Sequence, residues 1–280
     1  MSKVAPKVRR PKFDTEDMPE YYWNGNPVAT HFLNSAHMVF PDGEKLFIRY
    51  VKKFSDQIQD PQLKERVKGF IGQEMSHSSV HEKIMQMLES RGLPAEEIRS
   101  WYAKTAYNDS ENFFVNLFGD ITGLTVTAGL EHWTSILAEA ALENNSEVLS
   151  GIHPEMRRLL RWHAAEEIEH KSVAFDVLKT VDDRYFTRAL GMIIATFYLG
   201  FYMAYGWAAF LISDKKINWL EIPGHALNAL PVAVQATMKF TAGFWRYFLP
   251  DFHPDDIEND EMAAQVMQEE NQFLYEMKAG

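Results

Sequence analysis

The sequence predicts an all-α protein, a four-helix bundle followed by additional apolar helices. Apolar residues recur at spacings of three and four over four long runs between about residues 44 and 183, which is the period of an amphipathic helix. Few stretches alternate between apolar and polar residues as strands do. Each of the four runs also contains a glutamate.

The starts and ends of the predicted helices are indicated by proline, glycine and acidic residues. Residues 1–26 lack a periodic apolar pattern and are expected to form a flexible N-terminal arm, so the bundle domain covers residues 27–183. The predicted helices run from Glu44 after Pro41-Asp42-Gly43, from Pro61 to Arg91-Gly92, from Pro94 to Lys104, from about Phe113 to Asn144-Asn145, and from His153-Pro154 to Asp182-Asp183.

Residues 184–250 form an apolar extension. Ala189 to Ile212 carries no charge and is long enough to span a bilayer, and it contains tyrosines and a tryptophan. The alternative is an apolar helix buried against the bundle. The next apolar segment, Pro223 to Pro250, is interrupted by Lys239 and Arg246 and is not a span. Residues 251–280 are predicted to form an acidic C-terminal tail helix.

Composition excludes several classes of function. The net charge of −11 argues against sequence-independent binding of nucleic acid, which needs clustered cations. The chain has no cysteine, so zinc ribbons, iron–sulfur clusters and disulfide frameworks are excluded, and a metal must be held by His and carboxylates. The first residues lack the apolar stretch of a secretory signal, which predicts a cytoplasmic protein, with membrane association left open.

A repeated pattern of glutamate and histidine carries the chemistry. Glu-x-x-His places both side chains on one face of a helix, and it occurs twice, at Glu74–His77 and Glu167–His170. Each pair is preceded by a single glutamate that lies on the helix before it. This order is that of ferritin-like di-iron and di-manganese bundles. The predicted metal ligands are Glu44, Glu74, His77, Glu131, Glu167 and His170.

These residue types suit two divalent cations. Four carboxylates can bridge and neutralise the cations, and two imidazoles complete the ligand set; iron is the first choice, with manganese or a mixed iron–manganese pair as alternatives. Carboxylates at core positions without a partner would cost several kcal/mol or take up a proton. The alternative is that these glutamates and histidines lie on solvent-exposed faces of their helices. His132 competes with Glu131, and Asp42 with Glu44, for the two single positions.

Three further residues are candidates for catalysis. His81 lies four residues after His77 and His163 four before Glu167, so both point to the predicted metal face, as extra ligands, proton-relay residues or ordinary core histidines. Glu166 lies one turn before His170 and is expected to accept a hydrogen bond from it, whereas Glu169 is expected to be solvated. The remaining histidines are expected in loops or at helix ends, either solvated or capping: His31, His37, His153, His225 and His253.

Four blocks of the sequence resemble the bacterial family called predicted metal-dependent hydrolases. They are Phe40-Pro41-Asp42-Gly43-Glu44, the block from Gln73 to His81, Leu130-Glu131-His132, and the block from Trp162 to Lys171. The resemblance covers roughly residues 27–181. It implies a metal-binding ferritin-like fold with the six residues above at the ligand positions, joined by His81 and His163 as further candidates, and it leaves the reaction open.

The leading functional hypothesis is a non-haem di-iron oxidoreductase that activates O2 to hydroxylate, desaturate or N-oxidise an apolar or lipid-like substrate, with electrons from an external donor. The alternative is a metal-dependent hydrolase that uses a hydroxide bound by two metals, with Glu166 or His163 moving protons. A third reading is a non-catalytic iron-binding protein. A membrane surface and a homodimer remain open as partners.

Overall fold

The computed structural model describes residues 4–143 and 148–279, with residues 273–279 described in backbone only. Throughout these residues the regular elements are helices, with one isolated bridge between Trp23 and Ile152, which confirms the all-α prediction. The helices are α1 (Pro27–Phe54), α2 (Pro61–Ser90), α3 (Ala95–Ala103), a π-helical segment (Lys104–Glu111), α4 (Asn112–Phe118), α5 (Ile121–Leu142), α6 (Pro154–His170), α7 (Val173–Val181), α8 (Tyr185–Ser213), α9 (Ile222–Tyr247) and α10 (Asp260–Ala279), with short 3-10 turns at Ser55–Gln57 and Pro254–Asp256.

Helix α1 begins far earlier than predicted. Asn26 caps it by accepting hydrogen bonds from the backbone N–H groups of Val28 and Ala29, and Pro27 occupies the first turn. Pro41, interpreted above as a helix start, lies inside the helix, where its carbonyl accepts a hydrogen bond from Ser78. Packing of α1 on both sides of Pro41 therefore outweighs the loss of the backbone hydrogen bond that a proline cannot donate.

Two predicted long helices are each divided. Gly119, at φ +83°, separates α4 from α5, because that backbone conformation suits glycine and ends a helix. The chain turns again at Lys171-Ser172, between α6 and α7, where the buried Lys171 ammonium donates to the Ile257 carbonyl and to Asn259. The predicted end of the third helix, Asn144-Asn145, lies outside the described residues.

The four helices that carry the predicted ligands pack against one another around a common interior. Helix α1 packs against α2 and α5, and α6 packs against α5 and α2. Glu44 lies on α1, Glu74 and His77 on α2, Glu131 on α5, and Glu167 and His170 on α6. All these side chains point into the space that the four helices enclose, since each is buried.

The N-terminal segment differs from the flexible arm predicted for residues 1–26, as far as it is described from residue 4 onward. Met18 and Tyr22 are buried in the core, and Tyr22 donates a hydrogen bond to Asn34. Pro6 lies so close to Gly69 of α2 that a Cβ there would overlap its carbonyl oxygen. The segment is therefore packed on the bundle.

The C-terminal helices cover the bundle rather than forming a separate layer. Helix α8 packs on α1 and α5, α9 packs on the same two helices, and α10 packs on α6, where Arg158 pairs with Glu270. By length and composition, α8 is the one helix in the described residues that could cross a membrane, and 28% of its most apolar window is buried.

The contact between α8 and α5 depends on a glycine. A Cβ added at Gly191 would lie 2.5 Å from the carbonyl oxygen of Thr125, which is too close for the two backbones to stay in place. We expect Gly191→Ala to lower the free energy of unfolding by about 1–3 kcal/mol in urea denaturation. Gly200→Ala is the matched control, because a Cβ there meets nothing within 4 Å among the described residues, and it should stabilise α8 by about 0.5–1 kcal/mol. Equal effects of the two substitutions would contradict this packing.

Candidate metal centre

The six predicted ligands lie together in the interior of the four-helix set. Their side chains are each at most 4% exposed, which excludes the alternative of solvated faces. His and carboxylate ligand atoms within 4.8 Å of one another form four overlapping groups there.

One end of the cluster combines four residues from three helices, of which α6 supplies two. Glu74, Glu131, Glu167 and His170 form one of the groups. His170 Nε2 lies 3.0 Å from Glu74 Oε1, 3.3 Å from Glu167 Oε2 and 3.5 Å from Glu131 Oε2. Three carboxylate oxygens thus surround one imidazole nitrogen, an arrangement that one divalent cation would occupy.

The other end contains His77 together with the two further candidate histidines, His81 and His163. Glu44 groups with Glu74 and His77, and also with His81 and His163, while His77, His163 and Glu167 form a further group. His163 Nε2 lies 2.8 Å from Glu167 Oε1, and His81 Nε2 lies 3.8 Å from Glu44 Oε1. The structure therefore brings His81 and His163 among the potential ligands, and Glu74 and Glu167 belong to groups at both ends.

The donor set fits metal ions because its carboxylates have few protein partners. Both oxygens of Glu44, Glu74 and Glu131 are buried and accept no hydrogen bond from the described residues. Burial, followed by the neighbouring carboxylates, raises the pKa of Glu74 well above its usual range, and burial likewise raises the pKa values of Glu44 and Glu131. Cations in the cluster would remove this penalty.

Glu167 behaves differently from the other three carboxylates. Burial alone would raise its pKa, but His170, His163 and His77 outweigh burial and hold that pKa well below its usual range. It therefore remains ionised at the centre of the cluster. Its two oxygens face imidazoles from both ends, as expected of a bridging ligand.

The residues that orient the metal-facing imidazoles differ in part from those predicted. Glu166 contacts His77, at 3.0 Å from Nε2, rather than His170, and this leaves His77 Nδ1 facing the cluster without a hydrogen bond from the described residues. His170 Nδ1 lies 3.0 Å from Gln73 Oε1, which leaves Nε2 toward the carboxylates. Gln73 therefore has the orienting role that was predicted for Glu166.

Glu169 is not solvated as predicted. It forms a two-pronged ion pair with Arg9, at 2.7 and 2.8 Å, and accepts a hydrogen bond from Gln73. Arg9 also contacts Glu166 at 2.9 Å. The N-terminal segment thus supplies a cation to the carboxylates that lie just outside the cluster, on the side away from the metal ligands.

The two alternative ligands, His132 and Asp42, have partners outside the cluster, whereas one of the remaining histidines, His37, contacts it. His132 faces the Gly243 carbonyl at 3.0 Å, and Asp42 pairs with Arg99, so neither competes for a ligand position. His37, expected in a loop, is buried within α1, with Nδ1 2.7 Å from His81 Nδ1. Its position seven residues before Glu44, two turns away on the same helix face, was the available signal.

The other histidines lie apart from the cluster. His31, also expected near an element end, is buried inside α1 and lies 3.0 Å from Asp214. His253 caps the turn at Pro254–Asp256, in agreement with the expected capping role. His153 is at the N-cap of α6, and His225 lies in the first turn of α9.

Comparison with known proteins supports a single family. A family model described as predicted metal-dependent hydrolase matches residues 7–258. Neither the curated proteins nor the solved structures contain a match to the chain. The description matches the hydrolase alternative, so the leading expectation of a di-iron oxidoreductase is wrong. The roles expected for O2 and an external electron donor depended on that expectation.

Proposed function

The chain belongs to the family of predicted metal-dependent hydrolases, and we propose that it hydrolyses its substrate at a pair of divalent cations held between α1, α2, α5 and α6. The observation that carries the proposal is the set of buried carboxylates, on Glu44, Glu74 and Glu131, that find no hydrogen-bond donor in the described chain. A protein core does not retain such groups without a compensating charge.

The proposed ligands divide into two subsites with shared carboxylates. Glu131 and His170 would hold one cation and Glu44 and His77 the other, with Glu74 and Glu167 belonging to groups at both ends and His81 and His163 beside the second subsite. Oxygen-rich donors favour iron or manganese over a structural zinc, and we propose iron, with manganese as the alternative. The order of ligands along the chain is that of a ferritin-like di-metal bundle.

The residues around the cluster hold the imidazoles in fixed tautomers. Glu166, itself bound by Arg9, accepts the proton of His77 Nε2, so Nδ1 is free to bind metal. Gln73 does the same for His170 by accepting from Nδ1. Cations bound there would lower the pKa of a water molecule and polarise the electrophilic centre of the substrate.

A proton released in hydrolysis has a path through neighbouring imidazoles. His163 Nδ1 lies 3.0 Å from His81 Nε2, and His81 Nδ1 lies 2.7 Å from His37 Nδ1. Each separation is within hydrogen-bonding distance, so a proton can pass from His163 towards His37. We assign proton movement to His81 and His163, because both ring nitrogens of each are engaged in contacts along this path, and we assign an orienting role to Glu166.

The outer face of α8 supports a lipid surface as a partner. An exposed stripe without charge runs the length of this helix, and Arg184 precedes it while Lys215 and Lys216 follow it. Its large members, each 48% or more exposed, are Phe186, Leu190, Ile193, Phe197, Phe201 and Ile212. We propose a protein at the cytoplasmic face of a membrane, acting on an apolar or lipid-like substrate.

Hydrolysis by the metal-loaded protein tests the proposal. Chromogenic carboxylic esters, anilides and phosphate esters would be offered to protein that has been chelated and then reconstituted with iron(II) under argon or with manganese(II). We expect one class to be hydrolysed, with activity lost on chelation and restored by metal. Uptake of O2 by the ferrous protein without hydrolysis in any class would overturn the proposal.

A further inference from the structure

An apolar pocket lies beside the metal cluster, on the outer side of α1 and α5. Its cavity volume is about 90 Å³, and it is partly open to solvent. One wall comes from α1, where Gly43 directly precedes Glu44, and another from α5, where Leu130 directly precedes Glu131. The pocket therefore lies beside the positions of the two proposed ligands Glu44 on α1 and Glu131 on α5.

The lining comes from matching stripes on three helices. Val126, Leu130 and Leu137 recur along one face of α5, and Ile194 and Tyr198 recur along α8. These side chains are half-buried although their neighbours on α5 are buried, so they face a space that other protein groups do not fill. The space is elongated along the helices, and its walls are mostly apolar.

Phe40 separates the pocket from the imidazoles. Its ring lines the pocket, and its centroid lies 4.9 Å from that of His81 and 5.2 Å from that of His163. A group bound at this end of the pocket is thus one aromatic ring away from the proposed cation between Glu44 and the two histidines.

We propose that this pocket binds the long acyl or alkyl chain of the substrate, with the bond to be hydrolysed at the Phe40 end. The inference rests on the proposed hydrolase function and assigns the apolar part of its substrate to a defined site. Glu111, the carboxylate in the lining, already accepts from Tyr50 at 2.6 Å and pairs with Arg49 at 2.5 Å, so it offers no site for a charged headgroup. The chain that fits is neutral.

The mouth of the pocket is bordered by exposed apolar side chains. Phe114 and Val115 of α4 line the pocket, while Phe113, Leu117 and Phe118 on the same helix are 54–61% exposed. On the opposite border, the exposed Phe197 and Phe201 neighbour the lining residues Tyr198 and Tyr202 on α8. A lipid surface that covers these borders would deliver an apolar chain directly into the pocket.

Gly43 offers a way to block the pocket without disturbing the core. A Cβ at this position meets one atom within 4 Å, the Tyr107 hydroxyl at 3.8 Å, so a larger side chain would extend into the empty space. Gly43→Leu therefore shortens the pocket, and Gly43→Ala is the matched control that leaves most of it open. Leu137→Phe blocks the same space from α5 if Gly43→Leu fails to fold.

The test combines binding of N-phenyl-1-naphthylamine, a neutral apolar fluorophore, with hydrolysis of p-nitrophenyl esters from acetate to laurate by the metal-loaded protein. We expect kcat/KM of the wild type to rise with chain length, by up to about three- to fourfold per methylene. Gly43→Leu should bind the fluorophore about tenfold more weakly and lose the rise for long chains, with metal content unchanged, while Gly43→Ala behaves as the wild type.

The two hypotheses fail in different ways. Hydrolysis that does not depend on chain length, with fluorophore binding unaffected by Gly43→Leu, would overturn the pocket assignment and leave the hydrolase standing. Fluorophore binding that Gly43→Leu weakens, in a protein that hydrolyses no ester, anilide or phosphate ester, would support the pocket and overturn the hydrolase.

Discussion

Glu167→Ala should remove most of the bound metal and reduce metal-dependent hydrolysis about 100-fold or more. Glu167 is one of two carboxylates that belong to groups at both ends of the cluster, and its oxygens lie 2.8 Å from His163 Nε2 and 3.3 Å from His170 Nε2. Its loss therefore weakens both proposed cation sites at once. Metal per chain, measured by inductively coupled plasma mass spectrometry after reconstitution, gives the result directly.

The matched control for this prediction is Glu169→Ala. Glu169 lies two residues further along α6, but it binds Arg9 and Gln73 instead of facing the cluster. We expect this variant to retain the metal content of the wild type, although the N-terminal segment loses an ion pair. Equal metal loss in both variants would contradict the assignment of Glu167 as a bridging ligand.

Glu74→Gln should change the stability of the protein in opposite directions with and without metal. In the metal-free protein, burial and the surrounding carboxylates raise the pKa of Glu74 well above its value in the unfolded chain. The wild type consequently loses stability as pH rises from about 4.5 through the raised pKa, because the buried side chain must ionise. Glutamine has the same shape and does not ionise.

The difference between the two metal-free proteins should therefore be small below pH 4.5 and grow as pH rises, to a gain on the order of 1–3 kcal/mol for Glu74→Gln. With metal bound, the order should reverse, since the wild type keeps a ligand that the variant lacks. Urea denaturation across pH, with and without chelator, measures both. Glu65→Gln on the same helix is the control, because Glu65 is exposed and should show neither effect.

The grouping of the candidate ligands could be anticipated from the sequence because the pattern that predicts it is local. Glu-x-x-His spacing puts two ligands on one helix face whatever the rest of the fold does, and its repetition on α2 and α6 identified Glu74, His77, Glu167 and His170 before the structure placed them together. Helix α2 was anticipated for a similar reason, since Pro61 and Gly92 mark its ends in the sequence.

The start of α1 was mistaken because two local signals competed. Asn26-Pro27 and Pro41 both resemble helix starts, and the choice between them depends on tertiary packing. Contacts between distant segments were also beyond the reach of spacing arguments. Arg9 pairs with Glu166 and Glu169 across about 160 residues, and no local pattern indicates that a proline-containing N-terminal segment packs on α2 and α6.

The reaction could not be read from the ligands alone, because carboxylate-bridged metal pairs serve both oxidation and hydrolysis. The match of residues 7–258 to the hydrolase family separated the two. The apolar pocket likewise appears only when the stripes on α1, α5 and α8 are assembled, since each stripe alone has the pattern of an ordinary core face.

Metal content per chain shows directly whether the buried cluster binds two cations. The purified protein would be chelated, reconstituted separately with iron(II) and manganese(II), desalted, and analysed for metal against protein concentration. We expect two ions per chain in the wild type, and a large loss in Glu167→Ala. Less than one ion per chain under both conditions would contradict the metal centre on which the proposed function depends.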